Sequence, residues 1–67
     1  MELSGRNQLP GEVLEIKKGD VVSEVTIQVG EHQIAGVITT SSVERMKLKV
    51  GDHITALIKA TEVSFIK

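Results

Sequence analysis

The chain has no cysteine, no tryptophan and no tyrosine, and its 67 residues contain one phenylalanine and one proline. The missing thiols exclude disulfides and thiolate metal sites. Its two histidines, His32 and His53, stand too far apart in sequence to suggest a local metal-ligand motif. No run approaches the ~20 apolar residues of a membrane span, and the first eight residues hold no apolar signal segment, so a cytoplasmic protein is expected. Eight basic against nine acidic side chains give a formal net charge of −1. That balance lacks the long-range positive field on which most nucleic-acid binders rely. Any anion held here must be captured by local geometry.

Small size imposes a further limit. A domain of this length buries only about 60% of the surface its unfolded chain exposes, and such a core supplies a few kcal/mol at most. With disulfides and a structural metal set aside, self-association is the remaining source of stability.

Isoleucine and valine dominate the apolar residues, and turn residues recur at short intervals, a pattern of short strands. Residues 21–29 form the clearest strand, with Val21, Ser23, Val25, Ile27 and Val29 on one face and Glu24, Thr26 and Gln28 on the other. Residues 11–17 precede it across the polar turn Lys18-Gly19-Asp20, so the two should pair antiparallel. Residues 33–39 and 53–60 read as further strands, each apolar on both faces around Val37 and Leu57, and the second faces are expected to be subunit contacts. Residues 62–66 read as a fifth and last strand. Between the third and fourth, Ser41-Ser42-Val43-Glu44 matches a capping box, with Val43, Met46 and Val50 following at helical spacing. Three strands, a short helical turn and two strands is the order of an all-β, five-stranded OB-like barrel.

A tetrahedral oxyanion needs several donors converging on it, with enough positive charge to offset its desolvation. Three segments offer such donors. Ser4-Gly5-Arg6-Asn7-Gln8 gathers a hydroxyl, a guanidinium and two amides. Thr39-Thr40-Ser41-Ser42 gathers hydroxyls where a strand enters a helix, whose first N–H groups have no intrahelical partner. Lys59-Ala60-Thr61 stands at the break between the last two strands. Each alone has an ordinary reading: a solvated arm, an N-cap provided by Ser41 or Ser42, and a solubilising lysine. His32 and His53 have no neighbouring acid or thiol and are assigned no chemistry. No serine or threonine is accompanied by a base and an orienting acid, so no catalytic residue is assigned and no enzyme activity is expected. The turns at Gly30 and Gly51 do not form a phosphate loop.

Taken together, Ser4-Gly5-Arg6-Asn7-Gln8-Leu9, Val37-Ile38-Thr39 with Ser42-Val43-Glu44, and Leu57-Ile58-Lys59-Ala60 resemble the molbindin (Mop) family of small TOBE-type domains, over essentially the whole chain, residues 1–67. The family's opening signature reads Ser-Ala-Arg-Asn-Gln, and Gly5 replaces its alanine. The resemblance implies an OB-like barrel, a homohexamer built as a trimer of dimers, and molybdate or tungstate bound between subunits, with no cofactor, no directly bound metal ion and no enzymatic activity. Carried over position by position, it implies oxyanion contacts from Ser4, Arg6, Thr39, Ser42, Lys59 and the Ala60 backbone. These fall in the three segments chosen on donor content. It also implies a second kind of anion site near the threefold axis, for which the turn Lys17-Lys18-Gly19-Asp20 is one candidate.

The competing function for an OB-like barrel is single-stranded nucleic-acid binding, in which bases stack on aromatic side chains along a basic groove. Phe65 is the only aromatic residue and the charge is slightly negative, which argues against that partner. No membrane partner is expected either.

Overall fold

The computed structural model describes residues 7–67, and its organising element is a long first strand, β1 (Asn7–Lys18), flanked on both sides. β2 (Val22–Val29) follows across a tight turn, and β3 (His32–Thr39) follows β2 across the two-residue turn Gly30–Glu31. Gly30 takes φ 58°, a left-handed conformation that suits glycine at such a hairpin. A short helix, α1 (Thr40–Met46), leads to β4 (His53–Ile58), which returns to pair with β1. The four strands form one antiparallel sheet in the order β3-β2-β1-β4.

The alternation read in residues 21–29 is realised in β2. Ser23, Val25 and Ile27 are buried while their neighbours are more exposed. Val21 lies just outside the strand and is exposed. β1 poses a harder problem, because its apolar residues Val13 and Ile16 are three apart and a regular strand would point them to opposite faces. A bulge solves it: the register passes from Val13↔Ile27 to Glu15↔Thr26, leaving Leu14 unpaired. The extra residue returns Ile16 to the face of Val13, and both join the core.

β1 also begins four residues earlier than the expected start at Gly11. Residues 7–11 pair with β4, whereas pairing to β2 starts only at Glu12. Pro10, which has no N–H, therefore sits where only one flank carries a ladder. Gly11 lies at the crossing, where a Cβ would stand 2.5 Å from the Gln28 carbonyl oxygen and 2.9 Å from Val29 Cγ2.

Val13, Val25, Ile27 and Val43 form the buried core, and Ile34, Ile38, Leu48, Ile54 and Ala56 are among the residues packed around it. Val43 brings α1 onto the sheet. The loop after the helix is tied to β1 by Gly51 N–H to the Val13 carbonyl and Val13 N–H to the Asp52 carbonyl, each 2.9 Å.

The expected fifth strand over residues 62–66 is not formed. β4 ends at Ile58, Ala60–Glu62 wind a single 3-10 turn, and residues 63–67 pair with no strand among the described residues. Alternation of Val63 and Phe65 satisfies the side-chain pattern of a strand, but a strand also needs a ladder partner and a covered face. Phe65 and Ile66 have neither, at 90% and 101% relative exposure. Among the described residues β3 and β4 are therefore both free edges, and the sheet does not close into a barrel. An open apolar groove of about 610 Å³ lies between them, lined by Ile34, Val37 and Ile38 on one side and Ala56, Leu57 and Ile58 on the other.

Candidate functional site

Where β3 runs into α1, the hydroxyls expected from sequence do come together, but in a different arrangement. The helix is capped by Thr39 rather than by Ser41 or Ser42: its Oγ1 accepts from the Ser42 N–H at 3.1 Å. The capping-box pattern starting at Ser41 therefore misplaces the cap by two residues. Thr39 Oγ1 also donates to Ser42 Oγ at 2.7 Å and lies 3.4 Å from Ser41 Oγ. Arg45, one turn on, donates from Nη2 to Ser42 Oγ at 3.2 Å. The helix has only seven residues. Its side chains, not a long aligned dipole, carry the donor capacity here.

Arg45 lies outside the donor set read from the sequence. Its signal is the i,i+3 spacing from Ser42, which places two side chains one above the other on a helix.

Thr40, the remaining hydroxyl of the segment, faces inward. It is 7% exposed, and its Oγ1 donates to the Gly19 carbonyl at 2.7 Å. Its single proton being used there, it accepts from the buried Ser23 hydroxyl, also at 2.7 Å. Its N–H donates to the Val21 carbonyl at 2.8 Å. These bonds fasten the start of α1 to the β1–β2 turn. The Lys18–Glu44 ion pair, at 3.3 Å, joins the same two segments at the surface.

The third donor segment lies at the other end of the sheet. Lys59 is exposed and follows β4, whose last residue Ile58 is paired with Asn7 at the start of β1. Asn7 also donates from Nδ2 to the Ile58 carbonyl at 3.2 Å. The following 3-10 turn closes with Glu62 N–H on the Lys59 carbonyl at 2.9 Å, so the Ala60 N–H precedes the turn's own hydrogen bonds. Thr39, by contrast, is paired with Val22, next to the pairing of Lys18 with Ser23. The hydroxyl cluster and Lys59 thus flank opposite ends of the twelve-residue β1, far beyond the span of a single oxyanion. Ser4 and Arg6 lie outside the described residues.

The turn considered for a second anion site has its cations facing carboxylates. Lys17 lies 3.9 Å from both Glu15 and Glu24, and Lys18 is paired with Glu44. Among the described residues no group of three His, Asp or Glu side chains is placed to hold a metal ion, and no helix is long and apolar enough to cross a membrane.

Comparison with known proteins agrees with this architecture. The family model of the TOBE domain matches residues 3–65. Molybdenum-pterin-binding protein 1 of Clostridium pasteurianum is 40% identical over 67 residues, spanning 98% of each chain. Among solved structures, a molybdate-binding protein from Sporomusa ovata superposes with a TM-score of 0.94 at 40% identity, each chain covered completely. The cytoplasmic molybdate-binding protein ModG, with molybdate bound, gives a TM-score of 0.86 at 36% identity over 92% of this chain and 45% of its own. With the sheet order, the helix between β3 and β4 and the match in sequence over nearly its whole length, the chain belongs to the TOBE-domain family, among the small molbindins.

Proposed function

We propose that this protein binds molybdate or tungstate, as a non-catalytic carrier that stores or buffers the oxyanion in the cytoplasm, at sites shared between subunits of a homo-oligomer. The whole chain, residues 1–67, serves as one molbindin domain. The observation that carries the shared site is the separation of its donors. An oxyanion of a few ångströms needs donors within hydrogen-bond distance on several sides. One chain sets Thr39 and Ser42 at one end of β1 and Lys59 with the Ala60 N–H at the other, so a second copy supplies the missing side. In this reading Ser4 and Arg6 from the N-terminal segment join Lys59 and Ala60, while Thr39 and Ser42 come from a neighbour. The unpaired edges, the apolar groove between them and the exposed Val37 and Leu57 provide the surface on which copies associate. A hexamer arranged as a trimer of dimers satisfies both requirements. Likeness to proteins named for molybdate binding supports the ligand, and the cytoplasmic relative supports the compartment.

Calorimetric titration tests the ligand. Molybdate and tungstate, dianions of nearly equal size, should bind with similar strength, and sulfate and phosphate much more weakly. Arg6→Ala and Lys59→Ala should each cost about one to two decades in affinity, from charge-assisted hydrogen bonds of roughly 1.5–3 kcal/mol. Lys47→Ala, at the helix C-cap away from these donors, should change little. Equal affinity for phosphate, or equal damage from Lys47→Ala, would reduce the site to a generic anion patch. Single-stranded nucleic acid has no stacking platform here, since Phe65 stands alone on the tail.

A further inference from the structure

We propose that Arg45 is a positioning residue of the oxyanion site: by donating to Ser42 Oγ it holds the Ser42 hydroxyl with its proton turned outward, as a donor ready for the anion. The inference rests on the proposed oxyanion reading and adds to it a residue outside the donor set.

A serine hydroxyl has one proton and two acceptor lone pairs. Ser42 Oγ accepts from Thr39 Oγ1 at 2.7 Å and from Arg45 Nη2 at 3.2 Å. Both lone pairs are thereby occupied, and its own proton has no acceptor among the described residues. An anion brings only acceptors, and the one thing Ser42 has left to offer is a proton. Acceptance of two hydrogen bonds, one from a charged donor, also polarises the O–H and strengthens it as a donor. Thr39 acts in the same chain: its proton is spent on Ser42, while its oxygen is held in place by the Ser42 N–H.

The surroundings leave Arg45 available for this task. It forms no ion pair among the described residues. The adjacent carboxylate, Glu44, is turned to Lys18 at 3.3 Å and so does not neutralise it. Its guanidinium is exposed and its fork has further N–H groups beyond the one on Ser42. Lysine in its place would keep the charge but lose the planar fork that fixes direction.

A double-mutant cycle on molybdate affinity separates positioning from plain charge. Arg45→Gln should weaken molybdate binding about tenfold in the otherwise native protein, and by less than about twofold when Ser42 is already alanine, because the effect passes through the Ser42 hydroxyl. Arg45→Lys should fall between native and Arg45→Gln. All of these positions are exposed or half-buried, so thermal midpoints without ligand should stay close to native. Equal losses in both backgrounds would mean that Arg45 acts only by its charge, and would overturn the inference. A loss on Ser42→Ala with none on Arg45→Gln would overturn it as well, leaving the site reading intact. Should Ser42→Ala itself leave molybdate affinity unchanged, the assignment of Ser42 to the site fails and the inference fails with it.

Discussion

Replacing Thr40 with valine is a sharp test of how the donor cluster is anchored, because it exchanges a hydroxyl for a methyl at nearly constant volume inside a closed hydrogen-bond chain. Ser23 is 1% exposed and Thr40 7%, so neither hydroxyl can turn to water. Thr40→Val strands the Ser23 O–H in the core, at about 1–3 kcal/mol, and removes the bond to the Gly19 carbonyl, at about 1 kcal/mol. The sum, roughly 2–4 kcal/mol, corresponds to a fall in thermal midpoint of about 8–32 °C at the ~4–8 °C per kcal/mol of a domain this small. Thr40→Ser keeps both bonds and loses one methyl, for about 1 kcal/mol. The decisive variant is the double substitution Ser23→Ala with Thr40→Val. It removes the stranded hydroxyl, so it should be more stable than Thr40→Val alone by about 1–2 kcal/mol. Thermal melts at one fixed protein concentration, which association makes necessary, provide the assay. Additive losses in the double variant would refute the closed chain from Ser23 through Thr40 to Gly19.

Two further outcomes follow from packing and edges. Gly11→Ala places a Cβ 2.5 Å from the Gln28 carbonyl oxygen and should cost about 1–3 kcal/mol in a melt, whereas Gly36→Ala, with nothing within 4 Å, should be neutral or slightly stabilising. Leu57→Glu puts a charge in the groove between β3 and β4 and should abolish association in sedimentation, at a cost to folding itself; an unchanged assembly would remove that groove from the interface.

Much of the sheet is legible in the sequence because β2 obeys the period-2 rule and the turns carry glycine where a hairpin needs it. The misreadings have specific physical sources. The start of β1 is hidden by Pro10 and Gly11, which ordinarily end strands, and only the one-sided pairing of residues 7–11 makes them acceptable. The Leu14 bulge is hidden because the three-residue spacing of Val13 and Ile16 breaks strand alternation until an unpaired residue is inserted between them. Residues 62–66 show the side-chain pattern of a strand, but pattern cannot supply the ladder partner. At the site, Thr39 and Ser42 are visible as hydroxyls in series. The roles within that series are not, since the cap falls on Thr39, Thr40 turns into the core and Arg45 reaches Ser42 only through the helix geometry. That the donor segments lie at opposite ends of β1 emerges only from the strand register.

The claim that one oxyanion is held by two copies of the chain is tested most directly by mixing two crippled variants. Ser42→Ala and Lys59→Ala proteins are each titrated with molybdate, then co-refolded in equal amounts and titrated again. If each site takes Ser42 from one copy and Lys59 from another, random association restores about a quarter of the sites with both residues intact. The mixture should then show tight molybdate binding at about a quarter of the native stoichiometry, though neither variant shows it alone. A co-refolded mixture that binds no better than its separate components, with exchange of subunits verified, would contradict the shared site.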